Sequence, residues 1–198
     1  EGYEISFMIV FIVLVILLIL YIVYENHTRN KELLKYAQTD ALTGLYNKET
    51  TEQLTDELLS EDENKSHAFL ILDVDCFKQI NDIYGHAVGD IVLQKFGKLL
   101  KGTFREGDIL GRIGGDEFGV IMKNIQTKDI AMKKAGELLA KTQAYKIDEL
   151  KGNNISISIG ISTAPQDGDC YMDLYKRADQ ALYQAKRSGK ARVCNYFS

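Results

Sequence analysis

The segment from Asp108 to Met122 constrains this chain more than any other stretch. Asp108-Ile109-Leu110-Gly111-Arg112-Ile113 reads as a strand, Phe118-Gly119-Val120-Ile121-Met122 as its return partner, and Gly114-Gly115 as the connection. A two-residue Gly-Gly connection suits a primed hairpin turn, which needs positive φ. Asp116 and Glu117 then sit at the tip of a rigid hairpin. Clustered carboxylates on a fixed backbone, with no basic partner at the turn itself, suit a divalent cation as well as they suit a solvated acidic turn.

A second acidic element tips that balance. His67-Ala68-Phe69-Leu70-Ile71-Leu72 is a short continuous apolar run, the pattern of a buried central strand, and it ends in Asp73-Val74-Asp75. A carboxylate at the end of a buried strand is costly unless a cation or hydrogen-bond donors compensate it. Two such sites on adjacent strands can hold a pair of hard cations about 4 Å apart, a geometry used for in-line displacement at phosphorus. Mg²⁺ is favoured, with Mn²⁺ as the alternative, because it takes a few carboxylates plus substrate phosphates rather than an all-protein cage. Lys78, one helical turn beyond Asp75, suits a phosphate as a point charge.

The 198 residues allow one ordinary domain plus an appendage, and the formal charge of -4 offers no basic footprint for a nucleic-acid polymer. Cys76, Cys170 and Cys194 lack metal-ligand spacing and read as reduced packing residues. The appendage is N-terminal. Phe7 through Tyr24 carries no charge, Gly or Pro. At about 1.5 Å per residue it covers about 27 Å, close to the hydrocarbon thickness of a bilayer. Residues 1–24 are therefore expected to be a transmembrane helix with a short flank, residues 25–39 a helical linker, and residues 40–198 the folded domain. Glu1 and Glu4 precede the span while Arg29, Lys31 and Lys35 follow it, so the C-terminal side is expected in the cytoplasm. The expectation is a single-pass protein of the inner cell membrane, held in the lipid bilayer through residues 7–24.

Across the domain, residues 48–60, 76–84, 87–101, 127–143 and 171–187 read as helices. Residues 67–74 and 154–163 read as strands, the latter from its alternating Ile155, Ile157, Ile159 and Ile161, and 193–197 as a last edge strand. Strands alternating with helices around a hairpin indicate α+β, with helices flanking a mainly antiparallel central sheet.

Several of these segments resemble one family. Asp40-Ala41-Leu42-Thr43-Gly44-Leu45-Tyr46-Asn47, Asp73 through Asp82 continuing to Gly85-His86 and Gly89-Asp90, Gly114-Gly115-Asp116-Glu117-Phe118, Ile157 through Ser162 and Ala178 through Lys186 are similar, in order, to the motifs of GGDEF-type diguanylate cyclases. The resemblance covers residues 40 to about 196 and implies the nucleotide-cyclase-like fold with a ferredoxin-like core. It implies condensation of two GTP into cyclic di-GMP with release of two pyrophosphates, at the interface of a homodimer in which each domain holds one GTP. Asp73, the Val74 carbonyl, Asp116 and Glu117 would hold two Mg²⁺ ions. Asp116 or Glu117 would take the proton of the attacking hydroxyl, and Lys78 would stabilise the transition state. Phe77, Lys78, Asn81, His86, Asp90, Lys186 and Lys190 would bind the nucleotide, Asn81 and Asp90 at the guanine edge and the late lysines at the outer phosphates. The family often has Arg where Lys190 stands, so charge is kept there while bidentate contact is not. Arg105 and Asp108 match the family's Arg-x-x-Asp product-inhibition site. The competing reading is a catalytically inactive domain that serves as a receptor for GTP or cyclic di-GMP; retention of the acids favours catalysis.

Overall fold

The computed structural model describes residues 14–26, 29, 37–61 and 65–196. The chain divides into two units, Glu1–Gln38 and Thr39–Ser198. In the first, residues 14–26 form helix α1, whose Leu14, Leu17, Leu20, Tyr21 and Tyr24 are exposed. Residues 7–13 of the expected span, and most of the expected linker, lie outside the described residues. Among the described residues no helix is long and apolar enough to cross a membrane.

The second unit runs α2 (Lys48–Glu61), β1 (His67–Val74), α3 (Phe77–Tyr84), α4 (His86–Thr103), β2 (Ile109–Arg112), β3 (Glu117–Met122), α5 (Lys128–Ala144), a 3₁₀ turn (Asp148–Leu150), β4 (Ile157–Ala164), α6 (Tyr171–Arg187) and β5 (Val193–Asn195). The strand order is β2-β3-β1-β4-β5. This is the expected α+β class, but the sheet is mixed rather than mainly antiparallel. β1 is antiparallel to both β3 and β4, and β2 to β3, whereas β5 runs parallel to β4. The cause is α6: a helical crossover returns the chain in the direction it left, so the next strand must be parallel.

Each sheet face has its own helix layer. Leu70, Leu72, Val74, Phe118 and Val120 face α4 and α5, packing on Val92, Phe96, Leu100, Ala135 and Leu138. Phe69, Ile71 and Ile121 face α2 and α6, packing on Leu58, Tyr171, Leu174, Ala178 and Leu182. With helices on both sides, β1 and β4 are buried at every position. The alternation in β4 therefore does not mark a wet face. Its small polar residues let α6 approach: a Cβ on Gly160 would lie 2.1 Å from the Ala178 carbonyl oxygen. Their hydroxyls are satisfied inside, as where Ser162 Oγ donates to the Leu174 carbonyl at 2.8 Å. Ile155, expected within this strand, lies before it and packs into the α4–α5 layer.

Candidate active site

The C-terminal end of β1 gathers the acids. Register pairs Asp73 with Glu117 of β3 on one side and with Ser158 of β4 on the other. Directly opposed residues share a sheet face, so Asp73 and Glu117 both belong to the α6 side. There Lys186, in the last turn of α6, donates to Asp73 Oδ2 at 2.7 Å. Asp73 is only 7% exposed. Burial pushes its carboxyl above the usual range, the Lys186 contact opposes that, and the charges of Asp116 and Glu117 add to it. An anionic centre short of positive charge fits a divalent cation. Among the described residues, Asp169, Cys170 and Asp173 are the one trio with ligand atoms all within 4.8 Å of one another, at the opposite end of α6; Asp73, Asp116 and Glu117 are not drawn that close. Two carboxylates plus phosphate oxygens suffice for Mg²⁺.

The hairpin tip corrects two expectations. Neither Gly114 nor Gly115 has positive φ, so the connection is not a two-residue primed turn. Instead the Glu117 carbonyl accepts from both Ile113 N–H and Gly114 N–H, at 3.0 and 3.2 Å. A Cβ at 114 would lie 2.8 Å from Glu117 Oε2, so a side chain there would displace the Glu117 carboxylate. At Gly115 a Cβ would meet nothing within 4 Å, which leaves that side open. The turn also has a basic partner after all. Arg112 donates to the Gly115 carbonyl through Nε at 3.1 Å and Nη2 at 2.7 Å, while its Nη1 reaches both Asp40 oxygens at 3.3 and 3.2 Å. Burial alone would raise the Asp40 carboxyl, but the Thr43 hydroxyl and amide and the Arg112 guanidinium outweigh it and hold it below the ordinary range. Val74 N–H completes the clamp on the Asp116 carbonyl at 3.3 Å.

Around this centre lies a shallow depression of about 240 Å³, lined by Asp73, Val74, Asp75, Cys76, Phe77, Lys78, Asp116, Lys186 and Lys190. Lys190 Nζ is 3.0 Å from Cys76 Sγ; that contact, then the nearby Asp75 and Asp73, raises its pKa. Asn81, His86, Asp90 and Glu117 are outside the lining. Asn81 is on α3, and His86 and Asp90 are exposed on the first turn of α4, one bend away across Gly85. Arg105 and Asp108 form a separate cluster. Asp108 Oδ1 accepts from Arg105 Nε at 3.0 Å and from Lys123 N–H at 3.1 Å, and Arg105 also donates to the Lys123 carbonyl. The Asp108 side chain is 2% exposed and that of Arg105 60%.

Carboxylates and lysines gathered at the end of a central strand mark the class: an α+β domain whose charged depression has a donor set that suits an anionic ligand with a divalent cation. Residues 37–192 match the family described as diguanylate cyclase, GGDEF domain, and the chain belongs to that family. Diguanylate cyclase A of Treponema denticola is 37% identical over 171 residues, covering 83% of this chain and 46% of that protein. Response regulator PleD of Caulobacter vibrioides is 36% identical over 177 residues, covering 86% of this chain and 39% of that protein. The chain thus spans less than half the length of these relatives. A crystal structure of the GGDEF domain of TpbB from Pseudomonas aeruginosa superposes with a TM-score of 0.76 at 33% identity, covering 80% of this chain and 94% of that one.

Of the expected residues, Asp73, Val74, Phe77, Lys78, Asp116, Lys186 and Lys190 come together around the depression; Asp75 in its lining and the Asp40–Arg112 pair behind the hairpin are assigned no role by the sequence. Arg112 stands two residues before the glycines, but nothing in the sequence links it to Asp40. Their contact spans 72 positions.

Proposed function

We propose that this chain is a diguanylate cyclase of the inner membrane, its catalytic domain in the cytoplasm, condensing two GTP into cyclic di-GMP. The observation that carries this reading is the convergence of Asp73, Asp116, Lys78, Lys186 and Lys190 on one depression at the end of β1. Relatives named diguanylate cyclase support it. So does the DgcB GGDEF domain of Caulobacter crescentus, 27% identical, solved in complex with c-di-GMP.

Asp73, the Val74 carbonyl and Asp116 would hold Mg²⁺, with Glu117 beside them. Bound there, Mg²⁺ supplies charge neutralisation for the phosphates and acidifies the attacking hydroxyl. Lys78 and Lys190 face the phosphates from α3 and from the turn after α6, and Lys186 exchanges Asp73 for an outer phosphate oxygen when nucleotide arrives. The 3′-hydroxyl of one GTP attacks the α-phosphorus of the other. A new P–O bond forms, the bond to the β-phosphate breaks, pyrophosphate leaves, and the hydroxyl proton passes to Asp116 or Glu117. Asn81 and Asp90 read the guanine edge, with His86 beside them. So shallow a depression holds one triphosphate and leaves it open to a second, which requires a homodimer to align the two reactants. Arg105, exposed beside Asp108, binds cyclic di-GMP as an inhibitor; with the Asp108 oxygens already engaged, recognition there falls mainly on the arginine. Residues 7–24 tether the domain to the bilayer. The exposed apolar side chains of α1 and the basic Arg29, Lys31 and Lys35 behind it support that orientation.

Incubation of the purified dimer with GTP and Mg²⁺, with the nucleotide product identified by mass spectrometry, tests the reading. Cyclic di-GMP and pyrophosphate are expected. Binding of GTP without turnover would replace the enzyme by a receptor.

A further inference from the structure

Asp75 is buried, 7% exposed, and its carboxylate is saturated by three donors. Oδ1 accepts from Ser158 Oγ at 2.7 Å; Oδ2 accepts from Ser156 Oγ at 2.8 Å and from Ala191 N–H at 3.1 Å. Two of these donors flank the first residue of β4. The third belongs to the turn that follows α6, far along the chain.

That turn is an unusual one. Gly189, Lys190 and Ala191 have φ of 111°, 59° and 48°, so two successive residues with side chains occupy the left-handed region. L-residues adopt it rarely, and it persists only where surrounding contacts impose it. Lys190 N–H donates to the Ala185 carbonyl at 3.1 Å, and Ala191 N–H to Asp75. This backbone sends the Lys190 side chain back over the depression, where Nζ meets Cys76 Sγ at 3.0 Å. A carboxylate beside a phosphate site would repel its ligand if left bare. With two serine hydroxyls and one backbone N–H converging on it, that charge is instead engaged within the protein.

We propose that Asp75 is a positioning residue for the nucleotide: by accepting the Ala191 N–H it holds the 189–191 turn in the conformation that presents Lys190 to the triphosphate. This rests on the nucleotide-binding reading above. Asp75 touches no substrate and acts through Lys190. A neutral amide in its place has one accepting end and no charge, so it cannot reproduce the charge-assisted bonds by which the carboxylate holds Ser156, Ser158 and Ala191 together.

The test compares the full 198-residue chain with its Asp75→Asn, Lys190→Ala and double variants. Five quantities are measured: KM and kcat for GTP, GTP affinity by calorimetry with Mg²⁺, the melting temperature, and hydrogen exchange of the Ala191 amide. Asp75→Asn is expected to weaken KM and affinity about tenfold with kcat changed less than about twofold, the signature of lost ground-state binding. In the Lys190→Ala background the same change adds less than about twofold, since the two act as one unit. The wild-type Ala191 amide is expected to be protected, and exposed in Asp75→Asn. Unchanged affinity in a folded Asp75→Asn overturns the proposal, and so do fully multiplicative effects in the double variant. Exchange of the wild-type Ala191 amide at the rate of an open loop overturns it even if Asp75→Asn does not fold. A wild type that binds GTP but makes no cyclic dinucleotide would end the cyclase reading, while the affinity arm would still decide the role of Asp75. A wild type that binds no GTP ends both.

Discussion

Asp73 combines two conflicting demands. Burial raises its pKa, Lys186 opposes, and Asp116 and Glu117 add to the rise. The folded protein therefore keeps this proton to higher pH than the unfolded chain does. Stability from this group is present below the unfolded carboxylate range and lost as pH rises through the folded value. Asp73→Asn removes that penalty, so calorimetry at neutral pH should show a variant that melts no lower than the wild type. Its activity should nonetheless fall by more than about 100-fold, beyond what loss of a mere outer partner of a metal ligand costs. A second prediction concerns Gly89, in the first turn of α4. A Cβ there would lie 1.9 Å from Asn81 Oδ1. Gly89→Ala should displace the Asn81 side chain and weaken GTP binding, while helix propensity gains up to about 1 kcal/mol and limits any loss of stability. Calorimetric titration with GTP and a thermal melt would separate the two effects. Arg105→Ala should leave the initial rate unchanged and abolish inhibition by added cyclic di-GMP in a steady-state assay.

The β2–β3 hairpin is held by contacts from outside as well as by the bonds within its own turn. Arg112 forks between the Gly115 carbonyl and Asp40, Val74 N–H holds the Asp116 carbonyl, and Phe118 packs edge-on against Phe96 of α4 with ring centroids 4.9 Å apart. Asp116 and Glu117 are thus fixed by three separate elements, which is what pre-positioned ligands and bases require. Arg112→Lys keeps a charge for Asp40 but loses the fork. The pair is partly solvated, so stability should drop by only about 1 kcal/mol, a melt lower by about 2–4 °C in a chain of this size. Turnover should fall about tenfold or more, because the tip is no longer fixed. A matched loss of stability and activity, with kcat almost intact, would show instead that the fork is structural only. Helices and strands were legible in the sequence because their apolar periodicities are strong; α6 was expected at 171–187 and runs over those residues. The parallel β5 was not legible, since strand direction depends on where α6 packs.

On the proposed reading, the depression of about 240 Å³ serves as one half of a site completed in a homodimer. Specific activity of the purified chain should therefore rise with protein concentration and level off once dimers saturate. A constant specific activity through dilution to monomer, measured beside light scattering, would rule out a shared site. Membrane fractionation tests the proposed tether: an apolar attachment through residues 7–24 should pellet the chain with vesicles and resist extraction by high salt, whereas an electrostatic one would be released.

The order of motifs along the chain was enough to give the α+β class, the family and most of the side chains that line the depression at the end of β1. These depend on residue types at short spacing, and short spacing is what a sequence displays. The fork of Arg112, the saturation of Asp75 and the pairing of Lys186 with Asp73 join residues 72, 116 and 113 positions apart. Such contacts exist only after β1 has been placed between β3 and β4 and α6 has folded back across it, since hydrogen bonds of a few ångströms cannot be read from composition or period.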